Sequence, residues 1–154
     1  IGGGVEIVVA CDLAIAAEHA EFSLPEPRIG LAALGGGVLQ RLARQMPLKF
    51  AMDLVLTGRR LTAAEAQQLG LINAVVPAAE LEDKVRSKAE QIMAGAPLAI
   101  EASKRVMLES LQFPDLETAL SQRYEAAERM LISEDAKEGQ AAFVEKRAPR
   151  WRGS

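Results

Sequence analysis

A chain of 154 residues, 49% of them hydrophobic and 25% charged, with a formal net charge of −3, can bury a core and has the balance of an ordinary globular protein. That balance offers nucleic acid no global basic field, and no apolar run approaches the roughly 20 residues of a membrane span. One cysteine and one histidine exclude an internal disulfide and a zinc-type ligand cluster. A cytoplasmic protein of bacterial type is expected, with a mitochondrial one left open. Ile1 is no initiator and the chain begins in a glycine turn, so an N-terminal portion is expected to precede it.

Gly2 to Gly4 are a poor helix interior but a permissive approach to a helix N-terminus, which predicts a helix over about residues 4–11. Within it Glu6 stands among Val5, Ile7, Val8, Val9 and Ala10, which leave almost no polar face. Cys11 is expected in the core, as a free cysteine packs like a small apolar residue. "DLAIAAE" reads as a short buried strand, His19 as a turn residue, and "AEFSLPE" as a second extended piece stopped by Pro25 and Pro27. The loop "PRIGLAAL" leads to Gly35–Gly37, which open a helix over about 37–45.

Amphipathic helices follow, over about 47–56 ending at Gly58 and 62–69 ending at Gly70, the second with a capping box of Thr62 and Glu65. "LINAVVP" is a strand stopped by Pro77. Helices are predicted over 78–94, 97–111, 115–131 and 134–145. Residues 1–46 thus look like an α/β portion, and 47–154 like a mainly helical region that packs on it or on another subunit. Met107, Met130 and Leu131 are read as core or subunit contacts.

Two carboxylates invite a chemical reading. Glu26 sits between Pro25 and Pro27, which fix the backbone and remove two N–H donors; it is either an aimed side chain or a surface turn residue. Glu6 is either functional or a first-turn carboxylate favoured by the helix dipole. A glycine turn that delivers backbone N–H groups at a helix start can stabilise an oxyanion. Two carboxylates beside such a turn suit proton transfer next to a carbonyl.

"IGGGVEIVVACDLAIAAEHAEFSLPE" resembles part of the active-site region of the crotonase (enoyl-CoA hydratase/isomerase) family. The family pattern is A-L-G-G-G-x-E-L-A-L-A-C-D, then F-x-x-P-E with the second Glu twenty positions after the first, and here 26 − 6 = 20. The resemblance continues through "GGGVLQRLARQMPLKFAMDLVLTGRRLTAAEAQQLGLINAVVP" to "SEDAKEGQAAFVEKRAPRWRG". It implies an α/β fold, the last part of a crotonase-like spiral of ββα units, followed by a C-terminal helical oligomerisation region. It further implies that Gly3 supplies an oxyanion N–H, that Glu26 is the proton donor to C2 of a 2-enoyl-CoA, and that Glu6 orients and activates water.

By the same resemblance Gly2, Pro25, Leu34, Phe143 and Lys146 are implied to bind substrate, although a solvated helix-end lysine is an equal reading of Lys146. No metal or redox cofactor is implied, since coenzyme A belongs to the substrate. The implied partners are an acyl-CoA and further copies of the chain in a homotrimer or dimer of trimers, with no nucleic acid and no membrane. Hydration of a 2-enoyl-CoA is the expected reaction. Enoyl-CoA isomerisation is the enzymatic rival, and an acyl-CoA-binding scaffold without turnover the rival of another class. The family's loop usually reads P-G-x-G-G, whereas this chain has Ala33, Leu34, Gly35 and Gly36. Leu34 puts straight-chain crotonyl-type specificity in doubt, and parts of the sequence resemble a subgroup that includes carnitinyl-CoA dehydratase.

Overall fold

Val5 and Val9, one helical turn apart and 0% and 2% exposed, form the buried stripe of the first helix, α1 (Gly3–Ala10). In the computed structural model, which describes residues 1–154, α1 starts one residue earlier than predicted. Gly2 precedes it with φ 56° and ψ −125°, a combination that glycine adopts without steric penalty. Cys11, expected in the core, is exposed. It closes α1 in extended conformation, and two positions past Val9 its side chain has left the Val5–Val9 stripe.

The chain forms two compact units, Ile1–Arg86 and Ser87–Ser154. The compositional change at Pro47 falls inside the first. In that unit β1 (Ile15–Ala17) and β2 (Glu21–Phe22) are joined by a turn that holds His19, as expected. A short 3-10 turn over Glu26–Ile29 occupies the start of the expected loop. It forms because the Arg28 N–H reaches the Pro25 carbonyl at 2.9 Å and the Gly30 N–H reaches that of Pro27 at 3.3 Å. Another 3-10 turn, Gly35–Gly37, leads into α2 (Val38–Gln45), followed by α3 (Leu48–Thr57).

β3 (Leu61–Thr62) pairs antiparallel with β2, Glu21 opposite Thr62 and Phe22 opposite Leu61. α4 (Ala63–Gln68) carries the predicted capping box: the Glu65 N–H donates to Thr62 Oγ1 at 3.2 Å and the Thr62 N–H to Glu65 Oε2 at 2.8 Å. β4 (Ala74–Val76) runs parallel to β1, with Ile15 opposite Ala74. Asn73 fixes that register, its Oδ1 accepting from the Ala14 N–H at 2.8 Å while its own N–H donates to the Ala14 carbonyl at 2.8 Å. Val5, Val9, Leu24, Val38, Leu42, Leu54 and Leu61 make one core beneath these elements.

The helix predicted from 78 begins as a 3-10 turn, Ala78–Glu80, and continues as α5 (Leu81–Met93). In the second unit α6 (Pro97–Ser110) packs against α8 (Glu125–Leu131). The single helix expected over 115–131 is instead α7 (Leu116–Leu120) followed by α8. Ser121 Oγ and Gln122 Nε2 donate to the Thr118 carbonyl at 2.8 and 2.9 Å, and Tyr124 Oη to that of Ala119 at 2.8 Å. These side chains occupy the acceptors a continuing helix would need. Met107 and Leu131 are exposed and so are not core. α9 (Glu134–Glu145) matches its predicted range and is capped by Ser133.

Candidate functional site

Both carboxylates lie in the first unit, close to the glycines that start α1. Glu6 occupies the first turn of α1. Its carboxyl is directed at the Gly35–Gly37 turn, which packs on α1. A methyl group built on Gly35 would sit 2.5 Å from Glu6 Cδ and 2.6 Å from Oε1, while one on Gly3 would be 3.8 Å from Oε2. Glu26 approaches the same glycines from its own 3-10 turn: a methyl on Gly2 would be 3.1 Å from Glu26 Oε1. The Gly2–Gly3 step therefore has one glutamate on each residue's Cα.

The loop that carries Glu26 is held from three sides. The Gly2 N–H donates to the Ser23 carbonyl at 2.8 Å. Ser23, itself buried, donates from Oγ to the Gly58 carbonyl at 3.0 Å. Arg28 donates from Nε and Nη2 to the Thr57 carbonyl at 3.3 and 3.1 Å. Gly58, left-handed with φ 58°, allows this close approach, because a methyl there would meet Pro25 Cα at 3.2 Å.

Glu26 Oε2 is buried and has no hydrogen-bond partner. Such an oxygen normally costs about 1–3 kcal/mol, and native structures retain few of them. Gly3 stands at the first helical position, where a backbone N–H has no intrahelical acceptor. Carboxyl oxygens of Glu6 and Glu26 thus both lie close to the glycines at the start of α1. The other residues singled out from sequence are distributed differently. Pro25 is half-buried beside Glu26, and Leu34, 71% exposed, precedes the Gly35–Gly37 turn. Phe143, 85% exposed, and Lys146, exposed and left-handed at φ 55°, belong to the end of α9 in the second unit.

Sequence reading missed Ser23, Arg28 and Gly58 as supports of the Glu26 loop, and Gly35 as the seat of Glu6. Only the second glycine run carried a signal for any of them. Arg41 supports that run too, donating from Nε to the Gly36 carbonyl at 3.1 Å. A cleft of about 600 Å3 beside α9 has Glu138, Arg147 and Arg150 in its walls. These groups already bind one another through the Arg147–Glu138 ion pair and an Arg150 N–H to Glu138 hydrogen bond. No group of three or more His, Cys, Asp or Glu side chains is placed to hold a metal ion, and no helix is long and apolar enough to cross a membrane.

Known proteins resemble this chain over nearly its whole length. Carnitinyl-CoA dehydratase of Salmonella typhi is 40% identical over 158 residues, covering 99% of this chain and 59% of that protein. The enoyl-CoA hydratase structure of Mycobacterium tuberculosis H37Rv superposes with a TM-score of 0.93 at 40% identity, over 99% of this chain and 60% of the other. That of Bacillus anthracis gives 0.93 at 39% identity, over 99% and 58%. The chain spans about three-fifths of the length of these relatives, and it has the crotonase fold over that span. The family model "Enoyl-CoA hydratase/isomerase" matches residues 1–154, so that the twenty-residue interval between the two glutamates lies within a continuous family match, and the chain belongs to the enoyl-CoA hydratase/isomerase family.

Proposed function

We propose that the intact protein adds water reversibly across the C2–C3 double bond of a 2-enoyl-CoA thioester. The observation that carries this reading is Glu26 Oε2, a buried carboxyl oxygen without a partner, beside glycines that also hold the Glu6 carboxyl. The Gly3 N–H holds the thioester oxygen, which lets negative charge build there as C3 is attacked. Glu6 orients the water and accepts its proton while the oxygen bonds to C3. Glu26 delivers a proton to C2, and exchange of protons with solvent resets both acids. Gly2, Pro25 and Leu34 line the acyl side of the site, and Phe143 and Lys146 contact the coenzyme A part of a substrate molecule. Residues 1–46 carry the reaction and 47–154 the assembly, with no metal or redox cofactor in the scheme.

The carnitinyl-CoA dehydratases among the relatives, together with Leu34 where the family has glycine, favour a second reading: dehydration of a substituted hydroxyacyl-CoA by the same groups in reverse. Incubating the intact protein with crotonyl-CoA and with a hydroxylated acyl-CoA, while following the conjugated thioester, tests both. Glu6→Gln and Glu26→Gln should each lower turnover by about 10²–10⁴-fold, the usual contribution of a positioned acid or base. A product whose double bond has merely moved would assign an isomerase, and binding without turnover a scaffold.

We further infer assembly as a homotrimer or dimer of trimers. Support comes from the large apolar side chains that the second unit leaves exposed, among them Leu120, Leu131, Ile132 and Val144, a pattern common at subunit contacts. The molar mass in solution, measured by light scattering, decides it; a monomer at micromolar concentration would refute the inference.

A further inference from the structure

The stretch of chain between the two acids is tied to both of them. Leu31 donates its N–H to the Glu26 carbonyl at 3.1 Å, and a methyl built on Gly35 would be 2.5 Å from Glu6 Cδ. One further Cα–Cα step puts Leu34 Cα within about 8 Å of that carboxyl carbon. Ala33 is buried in the core and holds the stretch down, while Ile29, Leu31 and Leu34 are all exposed. Leu34 has φ −98° and ψ −12°, a right-handed conformation that a leucine takes without strain. Exposed aliphatic side chains scattered singly need no explanation, but a group of them on the connection between two acids does. Charge is missing from the same place. From Pro27 to Met52 the sequence has no Asp or Glu, and its first aromatic residue is Phe50. Arg28 is engaged by the Thr57 carbonyl and Arg41 by that of Gly36. A cationic acyl substituent needs a carboxylate or an aromatic face, and a buried polar one needs a partner; the side chains of this stretch offer neither.

We infer that Ile29, Leu31 and Leu34 form a wall of the acyl site, with Leu34 as the specificity-determining residue, and that the substrate carries an uncharged aliphatic acyl chain extending beyond C4. The inference rests on the proposed reading, in either direction of the reaction, and adds the acyl class to it. These side chains take the chain atoms beyond C4 out of water, and each methylene so buried contributes about 4-fold to kcat/KM. A charged group in the same place would lose its hydration with no counter-charge in return.

The test measures kcat/KM of the intact protein for crotonyl-CoA, 2-hexenoyl-CoA, crotonyl-CoA carrying a tert-butyl group on C4, and the trimethylammonium isostere of that last compound. Wild type should prefer 2-hexenoyl-CoA over crotonyl-CoA by about 10-fold or more, and the tert-butyl compound over its cationic isostere by about 10-fold or more. Leu34→Ala should reduce the hexenoyl preference to about 4-fold or less, and Leu34→Met, which keeps the volume, should retain it. Light scattering on Leu34→Ala accompanies the kinetics. Equal use of the four-carbon and six-carbon chains by wild type, equal use of the two isosteres, or a loss in Leu34→Met as large as in Leu34→Ala would each overturn the inference and leave the hydratase reading standing. A preference unchanged in Leu34→Ala would overturn it too, and a lowered molar mass beside that result would assign Leu34 to a subunit contact. If no thioester gained water, or the double bond merely moved, the hydratase reading would fall and the inference with it.

Discussion

At the scale of single residues, the site depends on side chains that are absent as much as on those present. Gly2 has φ 56° and faces Glu26 Oε1 at 3.1 Å from a built methyl, so two penalties coincide there. Gly2→Ala is expected to lower stability by about 1–3 kcal/mol, the usual range for backbone strain of this kind, and to lower turnover by shifting Glu26. Chemical denaturation beside a rate measurement checks this; an alanine variant as stable and as active as wild type would contradict both contacts. Glu6 and Glu26 were legible in the sequence because their type conflicts with their surroundings: a carboxylate in an apolar helix and another between two prolines. The room around each was not legible. Empty space at Gly2 and Gly35 depends on segments 20 to 30 positions away in the chain, which local pattern does not encode. Cys11 shows the same boundary, since its type suggested burial and its place one step beyond α1 decided exposure.

At the scale of elements, the helices that a cap or a glycine marks were readable, and those ended by side chains competing for carbonyls were not. The Thr62–Glu65 capping box and the Ser133 start of α9 are local chemistry. The break between α7 and α8 depends on Ser121, Gln122 and Tyr124 turning back onto carbonyls, and periodicity runs straight through it. The same contrast separates two serine and threonine hydroxyls in the first unit. Thr62→Ala should lower stability by about 1 kcal/mol and leave kcat unchanged, because it removes only a cap of α4. Ser23→Ala leaves the buried Gly58 carbonyl without its donor, a loss of about 1–3 kcal/mol, and also frees one anchor of the Glu26 loop. Its kcat should therefore fall as well. Equal effects of the two variants on kcat would show that the anchor does not bear on the acid.

At the scale of the whole molecule, each unit carries its own means of order, and the second relies on charge where the first relies on a leucine and valine core. The buried apolar side chains of the second unit are alanines, Ala102, Ala119, Ala126 and Ala142. The tail compensates by binding back onto α9. Asp135, buried, accepts from the N–H groups of Arg152 and Gly153 at 2.7 and 2.8 Å. Glu138 accepts from both terminal nitrogens of Arg147 at 2.6 and 2.9 Å and from the Arg150 N–H at 2.8 Å. Hydrogen bonding from the Arg147 guanidinium, then from the Arg150 N–H, lowers the Glu138 carboxyl from 4.5 to about 2. A carboxylate lowered on folding stabilises the fold above its unfolded value, and that stabilisation is lost as pH falls from about 4.5 towards 2. Glu65, Asp115, Glu128 and Glu134 are lowered in the same direction by their own hydrogen bonds and titrate alongside it. Trp151, the one tryptophan of the chain, reports the clamp directly: its Nε1 donates to the Ala94 carbonyl at 2.8 Å and its ring lies on Gly139. Acid titration should therefore change Trp151 emission within this window, and Glu138→Gln, which keeps the shape and removes the charge, should show a weaker change that starts from an already loosened tail. Superimposable titrations of the two proteins would mean that Glu138 does not hold the tail, and that Asp135 and the packing of Trp151 on Gly139 suffice.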